Sequence, residues 1–352
     1  MWLTSTTCDC TLQWRADDWT IGASFSIVRP EQHPDTENEY PMIIETEKDV
    51  TPAVLAELER APPGRFKEIM SAFIRHLHDF AREVKLTEEE FQAAAAYVAA
   101  LGKKTTESHN EVVLMSGTLG FSQLICLLNN GQGGEIETDA NLLGPFWRPN
   151  SPRMENGASI VRSPTPGPAL FVKAWFRDHG GNPIEGAEVE IWHSSAEGFY
   201  ENQDPVQADM NLRGIFVTDK DGHIAFRSVK PAGYPIPIDG PVGDLLRAQG
   251  RHNMRPAHLH FLAHREGFKT LVSQIYVQDD KFLETDAQFG VTRRLIGNYV
   301  RHESGPAPVP DITGPWYSLE YTFVMEPGAM RLPRAPISGK ASGERPKIPH
   351  LA

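Results

Sequence analysis

The feature that most limits the fold is a change of hydrophobic period partway along the chain. Phe66, Ile69, Phe73, Leu77, Phe80 and Val84 recur at steps of three and four, which lays one apolar stripe along a helix. Thr87-Glu88-Glu89-Glu90 is a capping-box pattern opening the alanine-rich stretch 91–101, and Gly102 stops it. Residues 112–130 are apolar on most sides, so this segment is expected to be buried against protein, with Gly117 and Gly120 permitting close approach of another backbone. Asn130-Gly131 and Gly133-Gly134 then break the chain. From about Leu142 the period becomes two. The runs 170–176, 187–192, 214–218, 223–227, 257–263, 271–277 and 318–325 are short and rich in β-branched and aromatic residues. Turn signals such as Gly180-Gly181-Asn182-Pro183 and Lys220-Asp221-Gly222 separate them. The expected architecture is therefore mainly β, with a helical N-terminal segment (46–140) ahead of a β-sandwich or barrel (141–326). Residues 1–45 read as a poorly ordered tail, and residues 327–352 as a basic, proline-rich tail that either wraps the domain or stays mobile.

Composition narrows the function. The 352 residues suit one large domain or two modest ones. With 34 Lys+Arg against 46 Asp+Glu, the net charge is −12, which argues against a nucleic-acid or anionic-membrane surface. No apolar run approaches the ~18 residues needed to span a bilayer, so no membrane insertion is expected. The first residues lack the basic start and apolar stretch of a signal peptide. The three cysteines form no disulfide framework, which fits a cytoplasmic protein. Cys8-Asp9-Cys10 reads as two thiols of a tail rather than a metal site, and Met42 is an alternative start to Met1, because periodic sequence begins near it.

The sharpest local signal is Arg255-Pro256-Ala257-His258-Leu259-His260-Phe261. Residues two apart on a strand share a face, so His258 and His260 present either a two-point metal bite or hydrogen-bonded histidines of a sheet. Arg75-His76-Leu77-His78 repeats the spacing on the helical stripe, where residues two apart point about 200° from each other and cannot converge. That pair reads as solvated. The usual third ligand is a carboxylate, but Asp239, Asp244 and Glu266 sit in sequence that reads as loop. Two of the eight tyrosines have unusual settings: Tyr200 follows a strand and a glycine, and Tyr234 lies in the stiff loop Lys230-Pro231-Ala232-Gly233-Tyr234-Pro235-Ile236-Pro237. Taken singly, each also reads as an amphipathic ring at a sheet edge.

Taken together, PIEGAEVEIWHSSAEGFY (183–200), GYPIPIDGPVG (233–243) and RPAHLHF (255–261) resemble the intradiol ring-cleavage dioxygenases. These non-haem iron(III) enzymes open catechol-type rings between the two hydroxylated carbons. The resemblance spans roughly residues 50–325 and includes LLGPFW (142–147). It implies that Tyr200, Tyr234, His258 and His260 hold one Fe(3+) per subunit, Tyr200 and His260 equatorially, Tyr234 and His258 axially, with Tyr234 giving way to substrate. A hard, highly charged cation favours anionic oxygen and depresses a phenol's pKa, which suits that donor set. By the same resemblance Arg255 stabilises negative charge on the ring, and Gln274 orients substrate or supports a ligand. Leu114, Gly117, Leu142, Leu143, Pro145, Ile236 and Pro237 then line the ring pocket.

Tyr234-Pro235-Ile236-Pro237 with Asp239-Gly240-Pro241, and the helical stretch 76–91, look like the hydroxyquinol branch. That implies cleavage of benzene-1,2,4-triol with O2 to 3-hydroxy-cis,cis-muconate (maleylacetate). Cleavage of catechol or chlorocatechol to cis,cis-muconates is the alternative. The chain departs from the branch at Gly117, where an aspartate is usual: glycine leaves space and no acceptor for a third hydroxyl. Leu142-Leu143 also replaces smaller or aromatic pairs. The resemblance further implies that the helical segment is a dimerisation or linker domain, giving a homodimer whose helical grooves hold phospholipid-like amphiphiles. Two other classes compete: a non-enzymatic β-sandwich binding module using the aromatic pocket without metal, and an Fe(II) oxygenase using the two histidines and a carboxylate.

Overall fold

The computed structural model describes residues 43–129, 136–304 and 306–351. Cys8-Asp9-Cys10, Met42, nearly all of the 1–45 tail, Asn130-Gly131 and Gly133-Gly134 lie outside the described residues. The chain divides into two compact units between Ala94 and Ala95, which does not coincide with the expected boundary at residues 140 and 141.

In the first unit α1 (Glu47–Leu58) packs on α2 (Arg65–Val84). A reciprocal cap opens α1, with Thr46 N donating to Asp49 Oδ2 at 2.7 Å. The stripe of α2 falls where the period places it, but in the single chain it is exposed along its length, Phe73 by 56%. Next comes α3 (Glu88–Lys104), which starts at the expected box: Thr87 N donates to Glu90 Oε2 at 2.9 Å, and Glu90 N to Thr87 Oγ1 at 3.2 Å.

In the second unit the apolar segment expected as one piece is two helices, α4 (Glu111–Thr118) and α5 (Phe121–Asn129). They are bent by 79° at Gly120, whose φ of +72° belongs to the left-handed region that glycine enters without steric cost. In the single chain much of α5 is exposed, including Phe121, Leu124 and Leu128. No single helix among the described residues is long and apolar enough to cross a membrane.

The strands follow as β1 (Ala169–Arg177), β2 (Glu188–His193), β3 (Arg213–Val217), β4 (His223–Val229) and β5 (Tyr234–Pro235). After α6 (Pro241–Ala248) come β6 (Met254–Arg255), β7 (His258–His264), β8 (Leu271–Val277), β9 (Ile296–Gly297), β10 (Val300–His302) and β11 (Trp316–Val324). Each of the seven alternating runs is a strand. The extra strands are too short to carry a periodic signal, and Asp244, expected in a loop, lies in α6, which opens on Pro241. Among the described residues there are a four-stranded sheet, β10-β11-β1-β4, a five-stranded sheet, β3-β2-β7-β8-β9, and a two-stranded ribbon, β5-β6.

Alternation along β7 divides its side chains between two environments. Leu259, Phe261 and Ala263 enter the core between the two large sheets with Val172, Ile191, Phe226 and Phe323. Phe261 meets Phe323 at 4.7 Å between ring centroids, and truncating such a core phenylalanine costs about 3–5 kcal/mol. His258, His260 and Leu262 point the other way, with Leu262 in a second apolar cluster holding Leu114, Phe146, Trp192, Tyr200, Tyr234 and Ile236.

Of the two fates expected for the C-terminal tail, the structure shows wrapping. Asn110 Nδ2 donates to Pro336 O at 3.2 Å and Ala341 N to Asn202 O at 2.7 Å. Arg345 pairs with Asp204 at 2.6 Å and Glu197 at 3.2 Å. Further on, Leu351 N donates to Asn253 Oδ1 at 3.0 Å, and Asn253 Nδ2 donates to Pro349 O at 3.1 Å and to Ile236 O at 2.9 Å.

Candidate metal centre

Sheet register assembles the site. Trp192 on β2 lies opposite His260 on β7, which lies opposite Gln274 on β8, while in the ribbon Tyr234 lies opposite Arg255. Tyr200 comes from the loop after β2, where the buried Glu201 anchors its backbone: Arg213 Nε donates to Glu201 Oε1 at 2.8 Å.

Four donor atoms converge. Tyr200 Oη is 2.9 Å from His260 Nε2 and 3.2 Å from His258 Nε2. The two Nε2 atoms are 3.2 Å apart, and Tyr234 Oη is 3.3 Å from Tyr200 Oη. All four side chains are at most 2% exposed. Ligands held about 2.0–2.1 Å from one ion are separated from each other by roughly 2.9–3.4 Å, so the spacing fits a shared cation. His258 Nδ1 donates to Pro256 O at 2.7 Å, which fixes the tautomer and leaves Nε2 as a bare lone pair aimed at the cluster. His260 Nδ1 has no partner among the described residues; its ring is oriented by stacking on Trp192, 4.5 Å away and 11° from parallel.

The electrostatics agree. Burial, reinforced by the Arg255 charge, pushes His258 down to about 3, and burial with His258 alongside pushes His260 well below the usual imidazole range. Both rings are thus neutral, the form in which an imidazole could hold a metal ion. Burial raises the Tyr200 and Tyr234 phenols, Tyr200 further because of Tyr234 beside it, so phenolates form here only when a cation neutralises them. Two neutral nitrogens and two potential phenolates suit a hard, highly charged ion.

Arg255 reaches this cluster with Nη1 3.4 Å from His258 Nε2. It is held by Asp286, at 2.9 Å to each oxygen, by Gln274 Oε1 at 3.1 Å and by Tyr276 Oη at 3.0 Å. Burial alone raises the Asp286 carboxyl, but Arg255 holds it below the ordinary range. Gln274 is fixed in turn by Nε2 donating to Leu142 O at 2.6 Å. Asp286, Glu201 and Trp192 carry no local sequence signal. Tyr276 carries one, because it stands two residues after Gln274 on one strand face.

The expected pocket residues separate. Leu114 and Ile236 pack with Tyr200 and Tyr234, and Leu143 lies against that cluster. Leu142 and Pro145 are buried. Pro237 lines a different cavity of about 500 Å³, with Lys103, Lys104, His109 and Arg247 in its wall. Gly117 does not open empty space, since the Gln288 side chain lies against it. Among the described residues no group of three or more His, Cys, Asp or Glu gathers to hold a metal. Asp239 instead pairs with Lys104 at 2.6 Å and Asp244 with Arg247 at 2.9 Å. On the helix, His78 Nδ1 meets Thr51 Oγ1 at 2.9 Å while His76 is exposed.

Comparison with known proteins follows the same lines. Residues 142–327 match the family described as Dioxygenase, and residues 64–135 match the Catechol dioxygenase N terminus. The 6-chlorohydroxyquinol 1,2-dioxygenase of Cupriavidus pinatubonensis is 39% identical over 279 residues, covering 79% of this chain and 97% of that protein. A hydroxyquinol 1,2-dioxygenase from a Rhizobium species is 39% identical over 275 residues, covering 77% and 92%. Among solved structures, the hydroxyquinol 1,2-dioxygenase of Pseudomonas putida gives a TM-score of 0.72 at 36% identity, covering 80% of this chain and 99% of that one.

Proposed function

The chain belongs to the intradiol ring-cleavage dioxygenases, and from that premise we propose that it cleaves hydroxyquinol with O2 to 3-hydroxy-cis,cis-muconate, using one Fe(3+) held by Tyr200, Tyr234, His258 and His260. The observation that carries the reading is the convergence of two phenol oxygens and two imidazole Nε2 atoms within 2.9–3.3 Å of their neighbours. The names borne by the similar proteins support the choice of diol. Iron(III), when held by these residues, would supply Lewis acidity toward the diol.

The chain's own residues do the rest. Tyr234 Oη, which would be a phenolate only with the cation bound and whose neutral phenol form burial favours, is the atom that takes a proton from the incoming diol. Arg255, fixed through Asp286 and Gln274, holds a positive charge where the ring gains electron density. Leu114, Phe146 and Ile236 exclude water and receive the ring's apolar face. Gly117, with no polar side chain of its own, favours a second reading in which catechol or a chlorocatechol is preferred.

An oxygen-uptake panel with hydroxyquinol, catechol, 4-chlorocatechol and protocatechuate, scored by product spectrum, tests both readings. The expected result is a red-brown iron protein with highest kcat/KM on hydroxyquinol. A colourless, iron-free protein that consumes no O2 with any diol sinks both and leaves the binding-module reading. The exposed stripe of α2 and, separately, that of α5 support association into a homodimer through the helices, and the family resemblance adds a phospholipid-like amphiphile in a helical groove. Sedimentation and organic extraction test that.

A further inference from the structure

A Cβ added to Gly117 would lie 1.7 Å from Gln288 Oε1 and 2.7 Å from Gln288 Cδ. The amide of Gln288 thus already occupies the space into which a side chain at 117 would project. It is firmly held: Gln288 is 3% exposed, and its Nε2 donates to Thr118 Oγ1 at 2.8 Å and to Leu114 O at 3.4 Å. Thr118 Oγ1 itself donates to Leu114 O at 2.9 Å, so both neighbours of the amide can only accept from it, which fixes its orientation with nitrogen toward α4. Oε1 then faces Gly117 and accepts from no group among the described residues.

The position is tied to the metal centre on both sides. Gln288 N donates to Asp286 Oδ1 at 3.1 Å, and Asp286 is the carboxylate that holds Arg255. Leu114, whose carbonyl the amide meets, packs in the cluster that contains Tyr200 and Tyr234. A neutral, pre-oriented acceptor therefore stands between Leu114 and the Asp286 backbone turn, in the place that a side chain at 117 would take.

We propose that Gln288 is the specificity-determining residue of the pocket, its Oε1 accepting a hydrogen bond from the third hydroxyl of a benzenetriol in place of a side chain at position 117. The proposal rests on the hydroxyquinol reading. A diol without that hydroxyl covers Oε1 without giving it a hydrogen bond, which penalises catechol. It also makes positions 117 and 288 mutually exclusive: a carboxylate at 117 and the amide at 288 claim one volume.

The test compares wild type, Gln288→Leu, Gln288→Met, Gly117→Asp and the double variant Gly117→Asp/Gln288→Ala, each loaded with iron. Steady-state kcat/KM and anaerobic spectral binding titrations are measured for hydroxyquinol and catechol, and thermal midpoints are recorded for every variant. Gln288→Leu and Gln288→Met are expected to lower the hydroxyquinol-to-catechol ratio by about tenfold in both turnover and binding. Gly117→Asp alone is expected to lose thermal stability without gaining preference for hydroxyquinol, and the double variant to regain both. If Gln288→Leu and Gln288→Met keep the wild-type ratio, or if Gly117→Asp alone is tolerated as well as the double variant, the proposal is overturned. A wild type that shows no preference for hydroxyquinol overturns the substrate reading and this proposal together. A wild type that prefers it, with Gln288 variants that prefer it equally, overturns this proposal alone.

Discussion

His76 and His78 on α2 and His258 and His260 on β7 share one spacing and meet opposite ends. On the helix one imidazole points to solvent and the other to Thr51, 2.9 Å away. On the strand the two Nε2 atoms stand 3.2 Å apart, each ring 1% exposed. The difference comes from the backbone period, which sends alternate residues to one face of a strand and to nearly opposite sides of a helix. Burial then amplifies it. β7 has paired neighbours on both edges and a packed face on each side, so its histidines lose water and lie neutral beside two phenols. A repeated residue type becomes a site only where the local period brings the repeats together and the surrounding sheet keeps water out.

The most severe test of that contrast is to remove the rings. His258→Ala and His260→Ala should each lower iron content and O2 uptake by more than about a hundredfold, while His76→Ala with His78→Ala should leave both within about twofold; metal analysis of purified protein decides. Iron loss in the helical double variant would break the comparison. Next in size is Asp286→Asn. Leaving Arg255 buried without its carboxylate should cost about 3–5 kcal/mol of stability and depress kcat, with denaturant midpoints as the measure.

A smaller effect is expected from the segment that ties the tyrosine loops. Arg345→Ala with Asn253→Ala should weaken iron retention against a chelator about tenfold and broaden the visible charge-transfer band, with the sandwich's circular dichroism unchanged. An unaltered band would show that the tyrosines need no outside frame. The mildest effect concerns pH. In iron-free protein the folded chain holds His258 neutral down to about 3, whereas the unfolded chain takes up a proton near the ordinary 6.5. Protons therefore favour unfolding, and stability falls as pH drops from about 6.5 toward 3 while staying level above that window. His258→Gln should flatten this acid limb in equilibrium unfolding.

What was legible in the sequence was what repeats locally. The stripe of α2, the box opening α3, the alternating strands and the facing pair His258 and His260 each follow from a period that a short window contains. Tyr200 and Tyr234 stood out by their settings and Arg255 by its place beside the histidine pair, but their joining with Gln274 in one candidate site was legible only through family resemblance, because each tyrosine taken singly also reads as an edge tyrosine. Asp286, Asn253 and Gln288 were not legible at all. Each acts on a partner far away in sequence, and their neighbours read as ordinary loop. The 79° turn at Gly120 was hidden for another reason: a glycine in an apolar run marks either close packing or a break, and composition does not say which. The space at Gly117 was misread because its occupant comes from position 288.

The wrapping segment has a consequence for how the protein is made. Arg345 grips Glu197 and Asp204 on either side of Tyr200, and through Asn253 residues 349 and 351 reach Ile236, two positions past Tyr234. These residues leave the ribosome after every strand of both sheets. During synthesis the sandwich has all its pairing partners before either tyrosine loop has its frame, so a nascent chain ending at residue 336 is expected to fold yet bind iron loosely, a difference that release of arrested chains into labelled iron would measure. On the proposed reading, metal loading would report that translation has passed the wrapping segment.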